Sequence, residues 1–289
     1  DLLDRLDAAI TGLESTRAAV DAGAPWALAA VFDTSEEARC GPPEVLAHVA
    51  EMGPFWTGEI ERILAGGPDP VPFGRVAADT GCTLRLQGGI TGNAGLTVGG
   101  AGNTVIEFGT MDGLTTNSLT KVDAGLLGIA ADSTVYDGPV FVNGGILRVS
   151  SGFALGTSVG ATTVQTNTTL DFFFNAPTVD EPITIAGTGT ANQGAIHTGG
   201  GAGCTPILLG PITLSGNALI KMDGSTILSL SNSVTGNADL GVTIDGNGPC
   251  IIEGNVSLGA HSLTKASSGQ LVLRGTAKPS ALDQVGLVL

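Results

Sequence analysis

The chain has 289 residues, 42% of them hydrophobic, and a formal net charge of −15 at pH 7. This length allows one large domain or two ordinary ones, each with a sizeable core. So acidic a chain is a poor partner for nucleic acid, because phosphate binding needs clustered Lys and Arg. No apolar run approaches the ~18 residues that a membrane-spanning helix needs, so we expect no transmembrane segment.

The composition changes near Thr80. Residues 1–79 hold 8 of the 45 glycines and both tryptophans, whereas residues 80–289 hold the other 37 glycines and all four lysines. Two segments this different rarely share one core, and we predict two regions with those boundaries. The sequence begins at Asp1 with neither Met nor a signal-type segment, so we expect a fragment or a processed product.

The sequence pattern of the first region predicts a short α-helical hairpin-like segment. In "LLDRLDAAITGLESTRAAV" the apolar residues recur at steps of three and four, as on one face of a helix. A second helix begins near Pro43, is kinked at Pro54 and ends at Gly66. His48 lies on the edge of its apolar stripe, either as a hydrogen-bonded residue of a helix–helix contact or as a ligand.

The stretch "PPEVLAHVAEMGPFWTGEIERIL", followed by "PVPFGRVAADT", resembles the first half of the DinB-like four-helix bundles. These include thiol-transferase and maleylpyruvate-isomerase relatives, and the resemblance implies that His48 is one of three metal ligands. The other two, a His-x-x-x-His pair, are missing, since His197 and His261 lie 64 residues apart. We therefore expect His48 to be a vestigial ligand, with no cofactor unless the missing ligands come from elsewhere.

The second region predicts short strands separated by turns. Runs such as "TLRLQGGI", "GLTVGG", "PITIAG" and "LVLRG" are rich in β-branched residues and Leu, and each is followed by Gly, Asn or Asp. No stretch of residues 80–289 has the pattern of a helix of normal length. The region is therefore predicted to be mainly β.

An internal repeat predicts a solenoid. "SLTKVDAGLLGI" (118–129) matches "SLTKASSGQLVL" (262–273), and "ALIKMDGSTILSL" (218–230) is a looser copy with one extra residue. Lys221 and Lys265 are 44 residues apart, which suits two coils of ~22 residues. Cys204 and Cys250 would also lie two coils apart, about 10 Å, too far for a disulfide.

The segment from 118 to 156 is similar to the autotransporter-associated strand repeat of bacterial surface and secreted proteins. The matching features are Leu119 to Lys121, Gly125 to Ile129, Tyr136 to Gly138 and Val142 to Val149, and Gly128 departs from the strand pattern. The resemblance implies a right-handed parallel β-solenoid (β-helix) at the cell surface or secreted. A surface glycan or a protein would be its partner, and exposed solenoid edges would favour end-to-end self-association.

The acidic residues of this region are scattered along the sequence, and we expect them to be exposed at turns. These residues are Asp132, Asp137, Asp180, Glu181, Asp223, Asp239, Asp245 and Glu253. Whether they group on one face depends on the coil register, which the sequence alone does not give. No GxSxG, HExxH or P-loop motif occurs, and no CxxC pair that would suit a zinc ribbon.

The leading hypothesis is therefore a non-enzymatic structural or adhesive solenoid segment with no catalytic or cofactor-binding residues. The alternatives are a DinB-like metal-dependent enzyme of the thiol-transferase or hydrolase type, whose site is incomplete here, and a glycan-cleaving β-helix. A natural fusion, a fragment and an assembly artefact would all produce a chain with two such unrelated parts.

Overall fold

A computed structural model describes residues 75–90, 92, 94–107, 109–173, 177–200, 203–275 and 281–284. These residues form a parallel β-solenoid whose strands we number in chain order. The predictions for residues 1–74, including the helical hairpin and His48, lie outside the described residues. Apart from one short 3-10 turn at Thr190–Asn192, the described part consists of strands and turns, as the sequence predicts.

The first face of the solenoid is a ladder of nine described strands, each paired in parallel with the next. They are β1 (Arg75–Ala77), β3 (Leu96–Gly99), β5 (Leu119–Lys121), β7 (Val140–Val142), β9 (Thr162–Val164), β12 (Ile183–Gly187), the first half of β15 (Ile212–Met222), β17 (Val234–Gly236) and β20 (Val256–Ser257). Within the described residues, the first strand of the ladder starts at Arg75, five residues before the predicted boundary at Thr80.

The second face is a ladder that shares β15 with the first, because β15 runs through the corner between them. Its strands are β2 (Thr83–Leu86), β4 (Asn103–Ile106), β6 (Leu126–Ile129), β8 (Ile146–Val149), β10 (Thr169–Phe173), β13 (Ile196–Gly199), the second half of β15, β18 (Leu240–Ile244), β21 (Ser262–Ala266) and β23 (Ala281–Gln284).

A third face covers the later coils. Its strands also pair in parallel and are β11 (Thr178–Val179), β14 (Ile207–Leu208), β16 (Leu228–Leu230), β19 (Cys250–Ile252) and β22 (Leu271–Leu273). In the earlier coils, turns occupy the corresponding positions.

The coil length is close to the predicted ~22 residues but varies. Ile212 pairs with Val234, 22 positions later, whereas Ile183 pairs with Ile212, 29 positions later. Alternate residues of most strands point inward, and many of them stack on another aliphatic residue in the next coil, as Leu127 does on Leu147. Burying each such Leu, Ile or Val contributes roughly 1.5–3 kcal/mol, so the stacked columns are the main source of stability.

Two copies of the lysine repeat lie on different faces, before different corners of the solenoid. Lys121 ends β5 on the first face, whereas Lys265 lies in β21 on the second, and both side chains are buried inside the solenoid. Two residues after each lysine the chain turns with a positive φ, 60° at Asp123 and 68° at Ser267. The repeat is therefore a strand–turn–strand unit and not a whole coil.

The third, looser copy differs because of its extra residue. Met222 is the buried residue two positions before the positive-φ turn, as Lys121 and Lys265 are in their copies, and Gly224 follows with φ 67°. Lys221 is thereby turned to the outside. After two coils its register partner is Ala266, the neighbour of Lys265, so the two-coil spacing is confirmed although the two lysines do not align.

Packing explains why the Tyr-x-Gly turn contains these two residues. The ring of Tyr136 is fully buried inside the coil and its hydroxyl donates to the carbonyl oxygen of Pro139 at 3.1 Å. Gly138 packs so closely on the preceding coil that a Cβ would lie 2.1 Å from the carbonyl oxygen of Asn117. Gly128, which departs from the strand pattern, is nonetheless part of β6.

The prediction for Cys204 and Cys250 is confirmed, because no disulfide joins them. The backbone N–H of Ile227 donates to the carbonyl oxygen of Cys204, and Leu228 pairs with Cys250, so the two cysteines are two coils apart. The Cys204 thiol donates to the carbonyl oxygen of Phe172 at 3.3 Å. Complete burial raises the pKa of Cys250 to about 12, which makes it an inert core thiol.

Candidate functional site

The outward side of the second face carries a column of ionisable residues in successive coils. Arg148 pairs with Asp171, Asp171 with His197, and His197 with Lys221. We call these four residues, with Asp223 and Asp245 at the adjoining corner, the charged column. The sequence did not single it out, although a charged residue inside strand-like runs such as "TTLDFFF" and "AIHTGG" was a signal.

Asp171 lies at the centre of the charged column. One carboxylate oxygen accepts from Arg148 Nε at 2.7 Å, and the other lies 2.7 Å from His197 Nδ1. Only 3% of the Asp171 side chain is exposed, so its charge is almost wholly compensated by these two partners. The Arg148 guanidinium also lies 4.0 Å from the centre of the Phe173 ring, a cation–π contact.

The column continues to the next corner through His197. His197 Nε2 lies 3.1 Å from Asp223 Oδ2, and Lys221 Nζ lies 3.6 Å from Asp223 and 3.5 Å from Asp245. The register places Asp223 beside Asp245, because the N–H of Asp245 donates to the carbonyl oxygen of Met222 in the coil before. Each basic residue of the column thus contacts at least one carboxylate, although His197 is also in register with Lys221 and Asp223 lies beside Asp245.

The chemistry of His197 follows from its two carboxylate partners. Burial lowers its pKa, but the hydrogen bonds and charges of Asp171 and then of Asp223 outweigh burial and raise the pKa above 6.5. As an imidazolium it donates from both nitrogens, and no lone pair remains for general-base catalysis. The arrangement therefore suits a clamp between coils.

Most corner acids bind the next coil rather than forming a group. Asp112 accepts from Val135 N at 3.0 Å, Asp132 from Phe153 N at 3.1 Å, and Asp239 from Ser262 N at 2.9 Å. The Ser262 N–H and then its hydroxyl lower the pKa of Asp239. Among the described residues, no three or more His, Cys, Asp or Glu side chains are placed to hold a metal ion.

Glu181 corrects the expectation that these acids are exposed. Only 1% of the residue is exposed; Oε2 accepts from the Thr162 hydroxyl at 3.1 Å, and Oε1 has no hydrogen-bond partner in the described part of the chain. Burial raises the pKa of Glu181 to about 8, and the Thr162 hydrogen bond only partly opposes this. At neutral pH it is therefore mostly an uncharged acid.

Lys121 forms a further buried polar cluster. Its Nζ donates to the carbonyl oxygens of Val122, Asp123 and Gly144, which belong to two successive coils. Burial lowers the pKa of Lys121 to about 8, while the charge of Asp123 opposes that shift. The ammonium therefore satisfies three corner carbonyls that a hydrocarbon side chain would leave without this donor.

No family model, no curated protein and no solved structure matches this chain. The resemblances to DinB-like bundles and to autotransporter-associated repeats therefore stay predictions from the residues that carry them. Within the described residues, no helix is long and apolar enough to cross a membrane. His48, the one predicted metal ligand, lies outside the described residues, so its role stays a prediction as well.

Proposed function

We propose that the solenoid is a non-enzymatic structural and adhesive segment of an autotransporter-like protein, displayed on a bacterial cell or secreted. Its partner would be a surface glycan or a protein. We expect the coils to wind to the right, as parallel crossover connections nearly always do.

One observation carries this proposal: the ionisable side chains of the charged column join one coil to the next. Arg148, Asp171, His197 and Lys221 each contact an oppositely charged partner from a neighbouring coil or corner. Such side chains stabilise a stack and are not placed for chemistry on a substrate. The flat outward faces are then the parts that remain for contact with another surface.

The location is tested on intact cells that produce the protein. An antibody against the full chain should label those cells or detect the chain in their medium, and external protease should remove the label. A chain that becomes accessible to antibody and protease only after lysis would contradict a surface or secreted role. A cytosolic marker protein, followed in the same samples, controls for leakage.

A further inference from the structure

The outward column of the first face is rich in threonine and starts, within the described residues, with Arg75, which pairs with Thr97. The register pairs Thr97 with Thr120 and, after Phe141, runs through five consecutive hydroxyl residues. These five, which we call the threonine ladder, are Thr163, Thr184, Thr213, Thr235 and Ser257.

The threonine ladder is regular and stiff. Strands of a parallel ladder are spaced about 4.8 Å apart, so five successive side chains cover about 19 Å. Threonine is β-branched and restricted at χ1, so each residue presents its methyl and hydroxyl groups in a defined direction. Within the described part of the chain, no protein group hydrogen-bonds the hydroxyls of Thr163, Thr184, Thr213 and Thr235, which leaves them available to a ligand.

The surface beside the threonine ladder is formed by small or cyclic, uncharged residues. The neighbouring column consists of the residue just before each strand, two positions before the ladder residue. It contains no ionisable residue and is formed by Gly95, Ser118, Pro139, Ala161, Pro182, Pro211, Ser233 and Asn255. The equivalent outward positions of the second face hold the charged column. Threonine is common in strands, but the second face is built of strands as well and has no such run. Strand propensity alone therefore does not explain the run of threonines on the first face.

The chemistry of the face limits its ligand. The threonine ladder and the column beside it carry no charge, and Arg75 lies four strands away from Thr163, so this part of the face does not attract phosphate or anionic lipid. Sugar rings bind proteins by stacking on aromatic side chains, and Phe141 is the single aromatic residue in the described outward column. What remains is a rigid array of hydroxyl and methyl groups, repeated at a spacing close to that of the oxygen atoms along the a axis of hexagonal ice.

We propose that the threonine ladder binds ice, with ordered water between its hydroxyl and methyl groups as the contacting layer. This inference goes beyond the proposed function, whose partner is a surface glycan or a protein, and assigns a different ligand to one face of the solenoid. The binding needs only a periodic face that holds water in register, so no covalent step or metal is involved. Failure of ice binding would leave the cell-surface labelling result unchanged, so the two proposals fail separately.

The test uses the purified full-length chain and measures thermal hysteresis and inhibition of ice recrystallisation. Thr213→Tyr places a bulky ring in the middle of the ladder at an exposed position and should lower both activities several-fold. Thr243→Tyr is the matched control, because Thr243 is an outward threonine of the second face. Phe141→Thr joins Thr120 to Thr163 in one uninterrupted ladder and should raise both activities. Circular dichroism verifies that each variant is folded.

Three outcomes overturn the proposal. The first is the absence of any thermal hysteresis in the folded wild-type chain. The second is an equal loss in Thr213→Tyr and Thr243→Tyr. The third is co-sedimentation with an insoluble neutral polysaccharide that Thr213→Tyr abolishes, without activity on ice, which would assign the face to a glycan.

Discussion

Replacing Glu181 by Gln should remove much of the pH dependence of the stability of the solenoid. Glutamine has nearly the shape of the protonated acid and can still accept the hydrogen bond from Thr162. Between pH 4.5 and about 8 the folded chain keeps the Glu181 proton whereas the unfolded chain has lost it. The folded state binds more protons in this window, so its stability falls as the pH rises.

The magnitude follows from the shift in pKa. At about 1.4 kcal/mol for each pKa unit, a rise from 4.5 to about 8 corresponds to a loss of about 5 kcal/mol of unfolding free energy across that window. This is an upper limit, because local opening of a corner would let water reach the carboxylate before the whole solenoid unfolds. The Gln variant should not show this loss.

The assay is equilibrium denaturation in urea, followed by circular dichroism at several pH values on both sides of the window. The wild type should lose stability relative to Glu181→Gln as the pH rises, and the difference should level off above about pH 8. Asp180→Asn is the matched control, since this neighbouring acid is exposed, and its curve should follow that of the wild type. A wild-type curve parallel to that of Glu181→Gln would refute the burial of an uncharged acid.

Three further substitutions test other contacts by the same measurement. His197→Gln should destabilise most below pH 6.5, because the contribution of the imidazolium is lost as the pH rises through its raised pKa; a constant loss at every pH would contradict the clamp. Gly138→Ala should cost about 1–3 kcal/mol, since its Cβ meets a backbone carbonyl of the preceding coil, and an unchanged midpoint would disprove that close packing. Lys121→Ala should cost roughly 2–4 kcal/mol through lost burial and hydrogen bonds, whereas Lys221→Ala, on the outside, should cost less than about 1 kcal/mol. Equal losses for the two lysines would show that the inward position of Lys121 is wrong.

The solenoid could be predicted from the sequence because the patterns that indicate it lie within short stretches of the chain. Period-two apolar runs, turn residues after each run and the two closely matching lysine copies all report on strand–turn–strand units, and such units are what the structure contains. The strand Arg75–Ala77 was not predicted, since "GRVAADT" has no strand signal of its own and this segment becomes a strand by pairing with Leu96–Gly99.

The charged column and the threonine ladder were not predicted because both depend on the register between coils. Asp171 and His197 are 26 residues apart, whereas His197 and Lys221 are 24 apart, so no fixed period reveals them. The 29-residue step from Thr184 to Thr213 hides the ladder in the same way. Coil lengths vary at the corners, where loops of different size connect strands that remain in register.

The appearance of one lysine motif on two different faces bears on how such a chain can evolve. Duplication or loss of a single strand–turn–strand unit would leave every local motif intact and yet move all later strands to the neighbouring face. The threonine ladder would then be split between two sides of the solenoid. The lengths of the corners, which carry little recognisable sequence, are therefore what selection has to preserve if a continuous outward face is to persist.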